Sequence, residues 1–504
     1  MFIQDFKMAV KKFPNKPAAF YKGEYITYSE LDYKSSQLAA YLIKRFGRNS
    51  GVIGYYGERS IETLIAILGI WKSGASYLPI EPIIPHERKK IIYKESGVRL
   101  LLVDYYDDMS ELIECMPISE ILSKQQHGQV IEIDTDNAHC DDVAYIIFTS
   151  GTTGVPKGAM ITHKGMYNHL LAKKEFLDFS EETKLAQTAN IGFDISIWQL
   201  ILPLMLGAAV FFVMENEIMN LKKITNYILK NDIQILEVVP SYLDRWLNYL
   251  SNRNIIIPSL KYLFVTGEMF NPNLANRSVQ YFKQVKIVNA YGPAEAADDV
   301  THYILDKNIH YDNVPLGSSI PGMQIDILDE QKQPVPMSVK GTIYVTGVGV
   351  GKGYINNPDK TAESFHDNLL VTGKCSYDTG DTGYIDEDGL LYYCGRNNNQ
   401  VKINGHRIEL EEIEMRLQLA DNIKDAVVEA SEELGSLGKK LIAFVVLKCP
   451  SKIPTKEYLD TELKKTLPHY MLPKEYYICR YFRLSKNGKI DRTKISEQII
   501  SLIS

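Results

Sequence analysis

Tyr145-Ile146-Ile147-Phe148-Thr149-Ser150-Gly151-Thr152-Thr153-Gly154-Val155-Pro156-Lys157-Gly158 is an apolar run that breaks into hydroxyls, glycines and a single lysine. The pattern predicts a strand feeding a phosphate loop. Gly151, Gly154 and Gly158 let the backbone come close to an anion, the threonines and Ser150 supply hydroxyl donors, and Lys157 supplies positive charge. A nucleoside triphosphate suits such a loop. A Walker A loop requires Gly-x-x-x-x-Gly-Lys-Ser/Thr, whereas Lys157 follows Pro156 and precedes Gly158, so an ordinary P-loop NTPase is excluded. Taken alone, the stretch reads equally as a surface turn rich in Gly and Thr, and the rest of the chain must decide.

Outward from the loop, the sequence alternates strands and helices. On the N-terminal side, Thr27 to Phe46 reads as a helix with Leu31, Leu38 and Leu42 on one face, Ser29 as its cap and Gly47 as its stop. Val52 to Tyr56 and Val98 to Val103 read as strands, with a helix from Ser60 to Lys72 between them. On the C-terminal side come a helix around Gly165 to Phe176, a strand at Ala208 to Val213, a helix at Leu221 to Leu229 and a strand at Ile233 to Val239. A helix from Ser241 to Leu250 and strands at Leu260 to Val265 and Val285 to Ala290 follow. This is the βαβ rhythm of an α/β parallel sheet, in which ligands gather at the carboxyl ends of strands. That rule directs attention to Gly151, Pro240, Thr266-Gly267-Glu268 and Tyr291-Gly292-Pro293-Ala294-Glu295.

Beyond Asn313 glycine-spaced short strands, at Val350 to Tyr354 and Tyr377 to Tyr393, predict a β-rich subdomain. From Gln400 a strand, an acidic helix from Glu409 to Leu419, strands at Asp425 to Ala430 and Leu441 to Leu447, and a helix ending near Leu467-Pro468 predict a small α+β domain. The polar stretch Gly395 to Gln400 reads as its hinge. The expected division is a large core over 1–397 and a small, mobile C-terminal domain over 398–504.

At 504 residues the chain exceeds what one hydrophobic core usually supports. A hydrophobic fraction of 45%, a charged fraction of 23% and a net charge of -6 fit a globular protein and argue against a nucleic-acid surface. Cys115, Cys140, Cys375, Cys394, Cys449 and Cys479 are widely spaced without a Cys-x-x-Cys pair, which predicts reduced thiols rather than a disulfide or zinc framework. Met1 to Lys11 lacks an apolar secretory core, and the longest apolar stretch, Ile197 to Met214, is interrupted by Gln199, Pro203 and Gly207. A cytoplasmic, monomeric protein without membrane or nucleic-acid partners is expected.

Further motifs run in a fixed order through nearly the whole chain. They are Thr27-Tyr28-Ser29-Glu30-Leu31, Lys72 to Ile80, the loop at 149–158, Phe193-Asp194-Ile195-Ser196 and Asn289 to Glu295. Gly347 to Tyr354, Tyr377-Asp378-Thr379-Gly380-Asp381, Gly395 to Glu414, Leu467 to Met471 and Asn487-Gly488-Lys489-Ile490-Asp491-Arg492 complete the series. With them the chain resembles the adenylate-forming enzymes, and most closely the amino-acid adenylation domains of nonribosomal peptide synthetases. That resemblance implies a secondary-metabolite enzyme making aminoacyl-AMP from an amino acid and MgATP, releasing pyrophosphate. The acyl group then passes to the phosphopantetheine thiol of a carrier protein.

Carboxylate attack on the α-phosphate brings two anions together, so charge neutralisation dominates the chemistry. By the resemblance Lys489 bridges the substrate carboxylate and nucleotide, and Glu295 with Thr153 holds Mg²⁺. Thr149, Ser150, Gly151, Thr152, Thr153, Gly154 and Lys157 grip the phosphates. Asp381 holds the ribose hydroxyls, Arg396 lies near the ribose and phosphate, Asn289 and Tyr291 meet the adenine, and Gly267, Ala290 and Gly292 line the nucleotide. From the residues alone, Lys489 reads as a solvated turn lysine, Asp381 as a turn aspartate, Tyr291 as core packing and Asp194 as a helix cap.

Carried over in the same way, Asp194 pairs with the substrate ammonium. The side-chain pocket is lined by Asp194, Ile195, Trp198, Glu237, Phe264, Thr266, Ala290, Asp298 and Asp299, and Lys489 closes it. Trp198 makes the pocket shallow, and Glu237, Asp298 and Asp299 make it acidic. A short cationic amino acid of the diaminobutyrate or diaminopropionate type is therefore expected, with ornithine, lysine and a hydroxylated amino acid open. The chain departs from the family pattern at Asn398 (a hinge aspartate), Ala294 (a threonine), Asn404 (an arginine) and Asp378 (a basic residue). No carrier serine motif follows Arg492 and no His-His-x-x-x-Asp occurs, so the carrier is expected to act in trans or to have been separated from this chain. The alternatives are a D-alanine carrier-protein ligase, an acyl- or aryl-CoA ligase, and a nonenzymatic nucleotide-binding module.

Overall fold

The computed structural model describes residues 1–104, 112–124, 140–151, 155–367, 369–396, 400–432, 439–483, 492, 495 and 498–503. They divide into two compact units. One comprises Met1–Pro82, Tyr93–Phe148 and Gly158–Asn397, and the other Ile83–Ile92, Thr149–Lys157 and Asn398–Ser504.

The first unit is built on two largely parallel sheets. In the nine-stranded sheet Lys286–Tyr291, Tyr262–Val265, Ile235–Val238, Lys184–Gln187, Ala209–Phe212 and Pro17–Tyr21 run side by side. All five of those contacts are parallel, and antiparallel strands close both edges. The six-stranded sheet has the order Cys115–Pro117, Leu100–Val103, Val52–Tyr56, Ser76–Ile80, Val143–Thr149, Lys157–Thr162. Its central strands are apolar on both faces, as a helix-covered parallel sheet requires.

Helices begin where side chains cap free backbone donors. Thr27, not Ser29, caps the helix Tyr28–Phe46: its hydroxyl accepts from Glu30 N at 3.3 Å, while the Glu30 carboxylate accepts from Thr27 N at 2.9 Å. That reciprocal box needs Glu three residues after the cap, a spacing that Thr27 has and Ser29 lacks. Ser60 caps Ile61–Ser73, and Gly74 ends it in the left-handed conformation. The apolar run from Ile197 to Met214 divides into the helix Ile195–Leu206 and the strand Ala209–Phe212, with Gly207 (φ 76°) at the break.

Two elements depart from the sequence pattern. Val350 to Tyr354 is not a strand; Gly353 takes φ 99°, and Tyr354 makes only an isolated bridge with Ala159. The strand Lys184–Gln187 carries too short a pattern to be read alone and is defined by its neighbours Ala209–Phe212 and Ile235–Val238. The β-rich portion is a five-stranded sheet in which Cys375–Ile385 pairs with Gly341–Gly347, Phe365–Asp367 and Leu391–Arg396.

In the second unit, Gln400–Ile403 and His406–Glu409 form a hairpin whose turn residues Asn404 (φ 50°) and Gly405 (φ 79°) are both left-handed. Asn tolerates that conformation better than most other non-glycine residues. A four-stranded sheet of Ile423–Glu432, Lys439–Leu447, Glu475–Cys479 and Ile499–Leu502 packs with the helices Leu410–Leu419 and Lys456–Lys464 around Ile413, Leu417, Leu459 and Leu463.

Candidate active site

Within the first unit, Asp381 and Arg396 face each other across adjacent antiparallel strands, in direct register. Arg396 Nε lies 3.2 Å from Asp381 Oδ1, and the guanidinium also donates to the Thr379 carbonyl at 2.6 Å. Tyr291, at the end of the strand Lys286–Tyr291, donates its phenol to Asp381 Oδ2 at 2.7 Å. The structure thus brings three predicted nucleotide residues together, with the carboxylate held by one hydrogen bond from Tyr291 and an ion pair with Arg396. Asn289 gives its amide to the Pro315 carbonyl at 2.7 Å, so its donor is engaged in fixing the following loop.

Four residues past that strand, Glu295 sits in a short 3₁₀ turn, fully buried, and accepts from the Tyr354 phenol at 2.8 Å. A buried carboxylate of fixed orientation fits a hard cation, and Tyr354 is a site residue whose role the sequence did not signal. Thr152, Thr153 and Gly154 of the phosphate loop lie outside the described residues, as do the hinge residue Asn398 and Lys489. Within the second unit, Ser150 donates to the Arg407 carbonyl at 2.8 Å and Thr149 to the Lys157 carbonyl at 3.5 Å. A side chain at Gly151 would meet the Val155 carbonyl oxygen at 2.0 Å, so this position demands glycine.

The predicted amino-acid pocket assembles in the first unit from five chain segments. Glu237 stands opposite Phe264 in parallel register, and Phe264 opposite Val288, two residues before Ala290. Period-two alternation therefore puts Glu237, Phe264 and Ala290 on one face of the sheet. Thr266 follows at a strand end, with Gly267 (φ 85°) after it. Asp298 and Asp299 arrive from a turn in which the non-glycine residues Ala297 (φ 63°) and Asp298 (φ 78°) are both left-handed. Such backbone is costly and clusters at functional sites. Gly292 permits it, because a Cβ there would meet the Asp298 carbonyl oxygen at 1.7 Å.

Asp194 caps the helix Ile195–Leu206, accepting from Ile195 N at 3.0 Å, and is half-buried beside Ile195. The capping role and a substrate role are compatible, since a capping carboxylate retains lone pairs for a second donor. One turn on, Trp198 donates its indole N–H to Glu237 Oε2 at 2.9 Å, and Gln199 donates to the same oxygen at 2.9 Å. Among the described residues, Glu237 Oε1 and Asp298 Oδ2 have no hydrogen-bond partner, although both are buried.

The residue that sequence reasoning missed is Lys173. It lies on the helix His163–Phe176, is fully buried, and places Nζ 2.5 Å from Asp299 Oδ2. The same ammonium stands 4.4 Å from the Trp198 ring centroid and 4.1 Å from that of Phe264. Its signal was present: Met166, His169, Leu170 and Lys173 share one helical stripe, and a lysine on an apolar stripe is rare unless paired.

Burial opposes the Lys173 charge, but Asp299, Glu237 and Asp298 outweigh it and hold its pKa above the ordinary value. Burial likewise opposes ionisation of Asp299, yet the Lys173 ammonium and the His302 hydrogen bond (3.3 Å) keep its pKa below the usual carboxylate range. For Asp298, burial and the adjacent Asp299 and Asp194 charges push the pKa well up. For Glu237, burial dominates and carries the pKa to about 7, against the pull of Lys173. Burial and Lys173 lower His169 to about 3, so its contact with Asp298, 3.7 Å away, is not an ion pair at neutral pH. The pocket is therefore a buried cluster of three carboxylates around one internal cation, with two acceptor oxygens open.

The first unit thus presents an Asp381 carboxylate fixed by Arg396 and Tyr291 and, separately, a buried acidic cluster around Lys173. Residues 6–355 match the family described as AMP-binding enzyme. The chain belongs to that family. It is 32% identical over 499 residues to tyrocidine synthase 1 of Brevibacillus parabrevis, covering 98% of this chain and 44% of that protein. Bacitracin synthase 2 of Bacillus licheniformis is 34% identical over 508 residues, 99% of this chain and 19% of that protein. The chain thus spans less than half the length of these relatives. Among solved structures, an NRPS protein containing adenylation and PCP domains, bound to a vinylsulfonamide inhibitor, superposes with a TM-score of 0.86 at 24% identity. That match covers 98% of this chain and 84% of the other. o-Succinylbenzoate CoA synthetase from Bacillus subtilis superposes at 0.87 with 19% identity, covering 99% of each chain. Both likenesses concern the fold.

Proposed function

We propose that this chain activates a short amino acid as its aminoacyl-AMP and passes it to the phosphopantetheine thiol of a carrier protein, in the cytoplasm. In the first step a carboxylate oxygen of the amino acid attacks the α-phosphorus of ATP, forming an acyl–phosphate bond while the bond to pyrophosphate breaks. In the second, the carrier thiolate attacks the acyl carbon and AMP leaves.

Asp381, held by Arg396 and Tyr291, accepts the ribose hydroxyls, and Arg396 brings positive charge to the phosphate side. Asp194 pairs with the α-ammonium, and Lys489, at the far end of the chain, neutralises the reacting carboxylate and α-phosphate. Mg²⁺, for which Glu295 and Thr153 are the ligands, would offset phosphate charge. The small C-terminal domain, 398–504, turns between the two half-reactions about Asn398.

The observation that carries the substrate reading is the pair of buried, open acceptors, Glu237 Oε1 and Asp298 Oδ2. A short ammonium side chain, of the diaminobutyrate or diaminopropionate type, would satisfy them and favour the ionised forms of the two carboxyls whose pKa values burial has raised. Lys173 already neutralises one of the three carboxylates, which favours as a second reading a short hydroxylated amino acid. Pyrophosphate release across the proteinogenic and short diamino acids tests both. The strongest signal is expected with diaminobutyrate or diaminopropionate, and a preference for large apolar amino acids would refute the pocket argument.

A further inference from the structure

Lys173 places its ammonium among the residues assigned to the substrate side chain. Its ammonium touches Asp299 and lies over the faces of Trp198 and Phe264, three of the residues assigned to the substrate side chain. Arg and Lys ammonium or guanidinium groups over aromatic faces, next to a carboxylate, occupy the same sort of niche that the terminal amine of ornithine or lysine seeks. Here the protein supplies that amine itself.

We propose that Lys173 is a specificity-determining residue that acts as a tethered cation, filling the deep end of the pocket and limiting the length of the accepted side chain. The inference rests on the pocket reading given above. Glu237 Oε1 and Asp298 Oδ2 remain open for a short donor, while Asp299 is closed off by Lys173. A longer diamino acid would have to displace a buried, paired ammonium, leaving it without its counter-ion.

The test compares wild type with a Lys173→Ala/Asp299→Asn double variant, which removes the cation together with the carboxylate it neutralises. Lys173→Arg serves as the opposite change, being bulkier. Each is assayed by pyrophosphate release from diaminopropionate through diaminobutyrate and ornithine to lysine, and from alanine through norvaline to norleucine. Binding of the same series is read in parallel by the shift in Tm without ATP. In the double variant, the kcat/KM ratio of ornithine to diaminobutyrate should rise about tenfold or more, the discrimination an added methylene typically carries. In Lys173→Arg it should fall. Length preferences unchanged in whichever variant folds would overturn the proposal, as would a wild type that binds no member of either series. Length-dependent binding without pyrophosphate release would refute the adenylation reading and leave the role of Lys173 standing.

Discussion

The two halves of the candidate site solve their electrostatics differently. Around Asp381, the ion-pair partner Arg396 comes from the adjacent strand of the same sheet, fifteen residues on in the chain, and the Tyr291 phenol donates from the end of a strand in the nine-stranded sheet. Around Asp299, the counter-ion comes from a helix more than a hundred residues upstream, and the cluster keeps two open acceptors. A clamp for a constant ligand part can be locally complete, whereas a pocket that selects a variable side chain must leave something for the ligand to complete.

The sharpest way to break this contrast is to delete one partner in each region. Lys173→Ala alone strands Asp299 in a buried site and should cost about 3–5 kcal/mol of stability in urea unfolding, with the double variant above costing less. Equal losses in the single and double variants would mean that the pair is not coupled. On the nucleotide side, changes should appear in activity more than in stability. Lys489→Ala is expected to reduce adenylate formation ~10²–10³-fold at unchanged folding, the effect of removing one preorganised charge stabiliser. Asp194→Ala should weaken amino-acid binding by about 2–5 kcal/mol while sparing the KM for ATP, and unchanged amino-acid affinity would disprove the ammonium pairing. Tyr354→Phe leaves Glu295 without a donor that it has now, and should raise the Mg²⁺ requirement at a cost of about 1–3 kcal/mol.

The smallest effect concerns pH. Burial carries the Glu237 pKa to about 7 in the fold from an ordinary value of 4.5, so the folded state binds its proton more tightly than the unfolded chain does. Stability attributable to this group is therefore unaffected below about 4.5, falls as pH rises through that window and is fully lost above about 7. Glu237→Gln should remove about 1–3 kcal/mol of that decline, read as the difference between the two proteins' urea midpoints across the window. An identical pH slope in both would show that Glu237 is not the buried acid responsible.

Much of the parallel sheet and the pairing of Asp381 with Arg396 was legible in the sequence, because both rest on local signals: apolar runs, caps and tight motifs at strand ends. Ser60 with Gly74, and Asp381 with its Thr379 turn, are of this kind. The strand Lys184–Gln187 was not legible, since four residues between two neighbours carry no period of their own. Tyr354 and Lys173 were hidden for a related reason. Their roles depend on distant partners, Glu295 and Asp299, that only the topology brings within reach. The acidic residues of the pocket were readable one by one, but their balance was not, because the compensating lysine is marked only by its place on an apolar helical stripe, which does not name its partner.

The account as a whole depends on amino-acid-dependent adenylate formation. Its most direct test is exchange of labelled pyrophosphate into ATP by the wild-type chain with diaminobutyrate as the only amino acid. The account predicts exchange well above the amino-acid-free background that disappears in Lys489→Ala; exchange at background with every amino acid supplied would contradict it.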